Sequence, residues 1–424
     1  MKPSSHEVQH HTPWERLNHP VHILLIHQAF VALDEPGGTR HHELARYFAE
    51  QGHRVTIIAS PISYLTGKSR QPKIPWVEKQ ADGALITILR AYTYPALHRS
   101  FAHRLVSFFS FMVSSFLIGR RVKQVDLVWG TSPPIFQGFT AWALARLKHK
   151  PFLFEVRDLW PAFAVAVGVL RNPILVKLSE WLERFLYRRA DQVIVNSPGY
   201  VQHVQARGAR HVELVPNGTD TVMFNPQVDA KPFRQVHGLE GKFVALYAGA
   251  HGMSNDLGVI LEAANRLRNR KDIILVLLGD GKDKPALQAR ASQASLDNLL
   301  FMAPIPKVEM PLALAAANAC IAILKPVEMY RTTYPNKVFD YMAAGKPVIL
   351  AIEGAIREVI EQAQAGIPIP PGDPGSMAGA ILRLADDPGL ASLMGHNGRL
   401  YVEAHFDRAA LAAKMLEIML GMVA

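Results

Sequence analysis

Lys337 and Asp340 stand in the segment TTYPNKVFDYMAAGKPVI, residues 332–349, just behind a Tyr-Pro step. Pro335 biases the residues before it away from helix and Gly345 can end one, so the spacing predicts a short helix from about Asn336 to Gly345. Near a helix N-terminus an acid is favoured by the macrodipole whether or not a ligand is present, which accounts for Asp340. Lys337 has no such reason to be there. A cation at that end is mildly unfavourable until a bound anion reverses the sign, so Lys337 is a candidate phosphate ligand.

A second group of charges lies in FEVRDLWPAF, where Glu155, Arg157 and Asp158 fall within four residues at the end of an apolar run. Charges at the end of a buried strand are costly unless they are paired or used on a ligand. A local ion pair between Arg157 and one acid is the structural reading. The functional one places Asp158 on a hydroxyl of a sugar or acceptor, with Arg157 on a phosphate or orienting Asp158, and Glu155 beside them.

Two glycine-bearing turns complete the candidates. EPGGTR carries Gly37 and Gly38, adjacent glycines that let backbone come close to a phosphate or sugar and offer N–H groups where a helix starts. AGAHGMSN carries Gly249 and then His251, which is expected to face a cleft if the preceding run is a strand. No G-x-G-x-x-G stands in the first turn and no acid follows RVTIIAS to hold a ribose, which argues against a nicotinamide dehydrogenase.

The elements that must position these residues are legible as period. VHILLIH, TRHHELARYFAEQG and RVTIIAS form a βαβ unit, with Thr39 as N-cap, Leu44, Tyr47 and Phe48 as the buried stripe, and Gly52 as the C′ residue. VDLVWGTSPP, PFLFEVRDLWP, QVIVNSPG and VELVPNGTD are further apolar strands ending in polar, Gly or Pro residues, as in a parallel sheet buried on both faces. The cycle restarts after the turn-rich stretch near 218–240 with FVALYAGAHG, DIILVLLGDG, NLLFMAPIP, ACIAILKP, KPVILAI and AGIPIPPGD. The expected architecture is α/β, two Rossmann-like doubly wound domains facing a cleft, with ligands at the carboxyl ends of the strands. The boundaries place an arm at 1–19, a first domain at 20–222 and a second at 223–407, while the helix at 408–424 can pack back on the first.

With 424 residues, 49% hydrophobic and 19% charged, the chain suits two globular domains. One cysteine, Cys320, excludes intramolecular disulfides and the common zinc spacings, and suits a reducing, cytoplasmic setting. The net charge of +10 is uneven: residues 1–225 hold 26 Lys and Arg against 16 Asp and Glu, and the remainder 20 against 20. An anionic partner is expected for the first half. Nucleic acid is disfavoured because the basic residues form no stripe and no nucleic-acid module is present. One segment, LVSFFSFMVSSFLIG at 105–119, is apolar between Arg99 and Arg104 on one side and Arg120, Arg121 and Lys123 on the other. Too short for a confident bilayer span of about 18 residues, it reads either as a helix buried in the first domain or as an interfacial helix on anionic lipid.

Taken in order, EPGGTRHHELARYFAEQGHRVTII, PNGTD, YAGAHG, LLGDG and YPNKVFDYMAAGKPVI resemble the retaining GT-B glycosyltransferases of family 4, of the bacterial polysaccharide type that includes N-acetyl-L-fucosamine transferases. The resemblance runs from about Val21 to Ala410. It implies an acceptor site in the first domain and a nucleotide-sugar donor, most simply a UDP-sugar, mainly in the second. It also implies a saccharide or polyprenyl-diphosphate-linked acceptor, no required metal, and a peripheral place at the inner face of the cell membrane. Gly37, Gly38, Gly249, His251, Asn336, Lys337 and Asp340 then fall to the donor, with Asp340 on its ribose. Glu155, Arg157 and Asp158 fall to the acceptor, and Asp158 and Lys337 are the catalytic candidates. Where the family carries its first signature glutamate this chain has Thr332, and GAHGMSND lacks the usual basic clamp, which leaves Lys337 to supply that charge. The competing readings are a UDP-sugar 2-epimerase on the same fold and a non-catalytic nucleotide-sugar-binding partner protein.

Overall fold

The computed structural model describes residues 20–33, 35, 37–63, 67–95 and 100–424. The arm expected at 1–19, and Arg99 ahead of the apolar segment, lie outside the described residues.

Continuous apolar runs become strands, buried at the sheet centres and only partly buried at the edges, and they build two sheets. The first contains β1 (His22–Ile26), β2 (Arg54–Ala59), β3 (Val77–Asp82), β4 (Ile86–Ala91), β5 (Leu127–Ser132), β6 (Phe152–Val156), β7 (Gln192–Val195) and β8 (Val212–Leu214), in the order β3-β4-β2-β1-β5-β6-β7-β8. All neighbours are parallel except β3 with β4. That edge hairpin has no counterpart among the strands read from the sequence: VEKQAD is an exposed edge strand without an apolar run, whereas ITILRA beside it is apolar and largely buried. The second sheet holds β9 (Phe243–Ala248), β10 (Ile273–Leu278), β11 (Leu299–Met302), β12 (Ala319–Ile323), β13 (Val348–Ala351) and β14 (Gly366–Pro368), ordered β11-β10-β9-β12-β13-β14 and parallel throughout. Chain order reverses beside β1 and β5 in one sheet and beside β9 and β12 in the other, and crevices open at such points.

Five helices of the first half matter for the site: α1 (Arg40–Glu50), α2 (Phe101–Gly119), α3 (Phe136–Lys148), α4 (Ala162–Ala166) and α5 (Pro173–Arg189). Leu44 and Phe48 of α1 are buried against Val21, Ile23 and Ile57. Thr39 precedes α1 without capping it through its side chain, since its hydroxyl donates to the Glu43 carboxylate instead. α2, α3 and α5 cover the opposite face through Phe111, Leu144 and Leu186. The C-terminal helix, Arg408–Val423, joins the α1 side, with Met415 and Met419 fully buried there. At the crossover between the sheets Thr219 bonds to both flanks of Asp407: its N–H donates to Phe406 O at 2.9 Å and its carbonyl accepts from the Arg408 N–H at 2.8 Å.

Candidate active site

The helix expected after Pro335 runs Asn336–Ala343, and Gly345 follows it at φ +66°. Its first turn carries Lys337 toward the carboxyl ends of β9 and β10. There the chain leaves β9 through Gly249 (φ +152°) and β10 through Gly279 (φ +145°) and Gly281 (φ +158°). A β-carbon on Gly249 would lie 2.5 Å from the Lys337 Nζ, and one on Gly281 would overlap the His251 backbone. Both turns therefore require glycine. The Lys337 ammonium rests 3.9 Å from the centroid of the Tyr247 ring, a cation–π contact, and its Nζ is buried with no hydrogen-bond partner among the described residues. Burial lowers its pKa to about 7. A buried cation satisfied only by a ring face is poised for an anion.

His251 lies in the same region, though not as the sequence suggests. Expected to face the cleft, it is fully buried, because its N–H donates to Asp280 O at 2.8 Å and its carbonyl accepts from Asp283 N–H at 3.0 Å, drawing it beneath the β10 turn. Its ring sits between Tyr247 and Phe301, neither nitrogen has a partner among the described residues, and burial, with Lys284 nearby, lowers its pKa to about 4. It is a neutral imidazole behind Lys337.

Two other residues assigned to the donor are committed elsewhere. Asp340 is 7% exposed. Its carboxylate accepts from Thr219 Oγ1 at 2.9 Å, Lys307 Nζ at 2.6 Å and Asn336 Nδ2 at 3.2 Å. Asn336 also accepts from Arg408, which is paired with Glu43 and donates to the Gly218 carbonyl. The ribose contact expected of Asp340 is thus corrected to a clamp that joins the crossover, the second domain and the C-terminal helix. Sequence reasoning missed Lys307 and Thr219 because they lie 33 and 121 positions from Asp340.

In the first domain Glu155 is likewise corrected. It is fully buried, with Arg40 Nε at 2.9 Å on one oxygen and His41 Nε2 at 2.6 Å on the other, and no oxygen is left for an acceptor. Burial alone would raise its pKa, but His41 and Arg40 pull it far below the usual carboxylate range. Arg40 continues to the carbonyls of Val215 and Pro216, so Glu155 ties α1 to the chain that leaves β8. Arg157 donates from Nε to Thr131 Oγ1 at 3.0 Å and to Ser132 O at 3.2 Å, and from Nη2 to His27 Nε2 at 3.0 Å. Since arginine only donates, His27 carries its proton on Nδ1. Burial, with His41 and Arg157 nearby, holds His27 neutral.

Asp158 differs from both. Its Oδ1 is buried without a hydrogen-bond partner among the described residues, and burial raises its pKa to about 7 against the opposing pull of Arg157. It is the acid of this group whose proton is available near neutrality. Gly37 (φ +143°) and Gly38 lie ahead of α1 and are exposed, and a β-carbon on Gly38 would meet nothing within 4 Å. They present bare backbone.

The two domains meet beside Asp158. Tyr330 packs on Phe163 with centroids 5.8 Å apart, Tyr200 OH lies 3.3 Å from Thr333 Oγ1, and Ser197 Oγ donates to the Thr332 carbonyl. Thr332, which stands where the resembling family has a glutamate, thus serves this seam through its backbone. Gly199 allows the approach: a β-carbon there would lie 2.6 Å from Thr332 Cβ and 2.7 Å from its Cα. Gly199→Val is expected to force the seam apart while each domain core stays intact. Small-angle scattering should show a larger radius of gyration than wild type; an unchanged radius with unchanged turnover would remove the seam from the working conformation.

Residues 37–218 match the family described as Glycosyl transferase 4-like domain, and residues 242–387 the family Glycosyl transferases group 1. Among curated relatives, WcaI of Escherichia coli K12, named for a glycosyl transferase of colanic acid biosynthesis, is 26% identical over 73% of this chain and 78% of its own length. A D-inositol 3-phosphate glycosyltransferase of Streptomyces avermitilis is 23% identical over 92% of this chain and 86% of its own. Among solved structures, a sucrose-phosphate synthase from Thermosynechococcus elongatus superposes with TM-score 0.78 at 20% identity, covering 95% of this chain and 99% of its own. Anabaena HepE in complex with UDP-glucose gives 0.68 at 16%, covering 94% and 99%. The first half of the chain thus matches a glycosyl transferase 4-like domain and the second a glycosyl transferases group 1 domain, on the GT-B fold.

Proposed function

We propose that this protein is a retaining glycosyltransferase that moves a sugar from a UDP-sugar to a saccharide or polyprenyl-diphosphate-linked saccharide, at the inner face of the cell membrane, in cell-surface polysaccharide biosynthesis. The observation that carries it is the buried Lys337 ammonium, without a hydrogen-bond partner among the described residues, beside the Gly249 and Gly279 turns. A relative named for colanic acid biosynthesis, and a neighbour of the same fold solved with UDP-glucose, support the substrate classes.

In the proposed reaction the bond from the anomeric carbon to the diphosphate oxygen breaks, and the acceptor oxygen forms its bond on the same face of the sugar. The acceptor proton passes to the departing diphosphate. Lys337, protonated once a phosphate is beside it, stabilises the charge that develops on the leaving group. The N–H groups of Gly37 and Gly38 approach the donor from the first domain. Asp158, titrating near neutrality, hydrogen-bonds and orients an acceptor hydroxyl. Arg157, anchored to Thr131 and His27, fixes the backbone that presents Asp158.

The test is turnover with a panel of UDP-sugars and a polyprenyl-diphosphate saccharide. Product with the donor's anomeric configuration, formed at an unchanged rate in EDTA, is expected. Inverted product overturns retention, and loss in EDTA overturns metal independence. UDP binding without any turnover across the panel would favour a non-catalytic binding protein.

A further inference from the structure

The two faces of the first sheet differ in what they show to solvent. On one face α1 and the C-terminal helix seal the core with Leu44, Phe48, Met415 and Met419. On the other, α2, α3 and α5 bury Phe111, Leu144 and Leu186 inward, yet their outward sides remain apolar. Val106, Phe109 and Val113 of α2 are 50%, 50% and 59% exposed, and Ile174, Leu178 and Trp181 of α5 are 67%, 57% and 59% exposed. Each trio follows helical spacing, so each makes one stripe. α3 joins the stripes through rings: Phe109 meets Phe136 at 5.5 Å, Phe139 meets Phe185 at 6.1 Å, and Trp181 stacks on Phe185 at 5.5 Å. Isolated exposed apolar residues need no explanation, but a connected aromatic surface over three helices marks an interaction site.

Charge indicates the partner. α2 and α3 contain no acid, and α5 contains only Glu180 and Glu183. Glu183 is fully buried between His203 and Arg207, and Glu180 lies 3.7 Å from Arg184. Lys177, Arg188 and Arg189 are exposed on α5, as are Arg120 and Arg121 after α2. On the opposite face α1 balances Arg40 and Arg46 with Glu43 and Glu50. Apolar stripes rimmed by cations and almost free of anions suit an anionic lipid surface, where the rings enter the headgroup boundary and the basic side chains meet the headgroups.

We propose that the outer face of α2, α3 and α5 docks on an anionic bilayer. α2 has the length and composition of a membrane span from Ala102 to Gly119. Its other side, however, is built into the protein core through Phe111, Ser114, Ser115 and Ile118, so it lies along the membrane rather than across it. This resolves the two readings of 105–119 by assigning each to a different side of one helix. The chain beyond Asp158 belongs to the same face, with Val165 and Val169 exposed at 42% and 43%. Docking therefore brings the mouth beside Asp158 near the lipid. The surface stands independently of the transferase reading, since a soluble acceptor can be turned over without it.

The test is co-sedimentation of the full chain with phosphatidylcholine vesicles, with and without phosphatidylglycerol. At least about tenfold more protein is expected on the anionic vesicles, falling as salt shortens the screening length. The pair Val113→Glu and Leu178→Glu, both on exposed positions, should lower binding at least tenfold with an unchanged thermal melt and unchanged turnover of a soluble acceptor. Arg188→Glu with Arg189→Glu should remove the preference for phosphatidylglycerol. Absent binding to either vesicle, or binding that the Val113 and Leu178 pair leaves intact, overturns the proposal. So does a concentration-dependent dimer in analytical ultracentrifugation that the same pair dissolves, because a second copy would then cover this face.

Discussion

Lys337→Met is expected to abolish sugar transfer and to weaken UDP binding by roughly 10- to 100-fold, the loss of one charge-assisted contact of about 1.5–3 kcal/mol. The fold should survive. The ammonium is a buried cation without a hydrogen-bond partner among the described residues, so methionine of similar length removes a burdened charge and leaves the Tyr247 ring in contact. The sign with pH follows from its pKa of about 7, below the ordinary lysine value of 10.5. A lysine whose folded pKa is lowered destabilises the native state below that pKa, and the penalty fades as pH rises toward 10.5. At pH 6 the variant should therefore melt at or above the wild-type temperature. Binding has the opposite demand, because a phosphate must meet the charged form. At pH 8, where free Lys337 is mostly neutral and the UDP diphosphate is fully ionised, binding should take up close to one proton. Calorimetry in buffers of different ionisation enthalpy reads this directly. Uptake that persists in Lys337→Met, or UDP affinity that does not change, would take the phosphate away from Lys337.

Glu155→Gln should be among the most destabilising single substitutions in the chain, although the residue touches no substrate in this arrangement. The change leaves Arg40 buried without its counter-ion and His41 without a charged acceptor. Removing one partner of a buried pair costs about 3–5 kcal/mol, or roughly 10 °C in the melting temperature of a domain of this size. Glu155 has a lowered folded pKa, so its contribution is present above the unfolded value of 4.5 and is lost as pH falls through the folded one. The gap between variant and wild type should hold from pH 5 to 9 and narrow in stronger acid. Thermal melts across that range check it. A variant as stable as wild type, with impaired binding of a saccharide acceptor, would return Glu155 to the acceptor site.

The contrast between these residues shows what could be read from order alone. Lys337 stood out in the sequence because its peculiarity is local: a cation in the first turn of a helix opposes the dipole, and the helix start is written in Pro335 two residues away. Asp340 and Glu155 looked equally poised in sequence, yet their partners Lys307, Thr219, Arg40 and His41 come from distant segments. The position of His251 depended on a turn of the neighbouring strand, and the exposed edge strand β3 had no apolar run to announce it.

By itself, then, the sequence determined the alternation of buried strands and helices, the restart of that cycle near residue 240, and the glycine turns where backbone must come close, since period and steric freedom are properties of short segments. Only the tertiary structure decided which charges are spent within the protein and which remain free for a ligand. A charge becomes structural or functional according to whether a partner reaches it within about 3 Å, and that is set by folding elements far apart in the chain against one another. It decided likewise that one side of α2 is core and the other is surface, because the first sheet covers one side and none of the described residues covers the other.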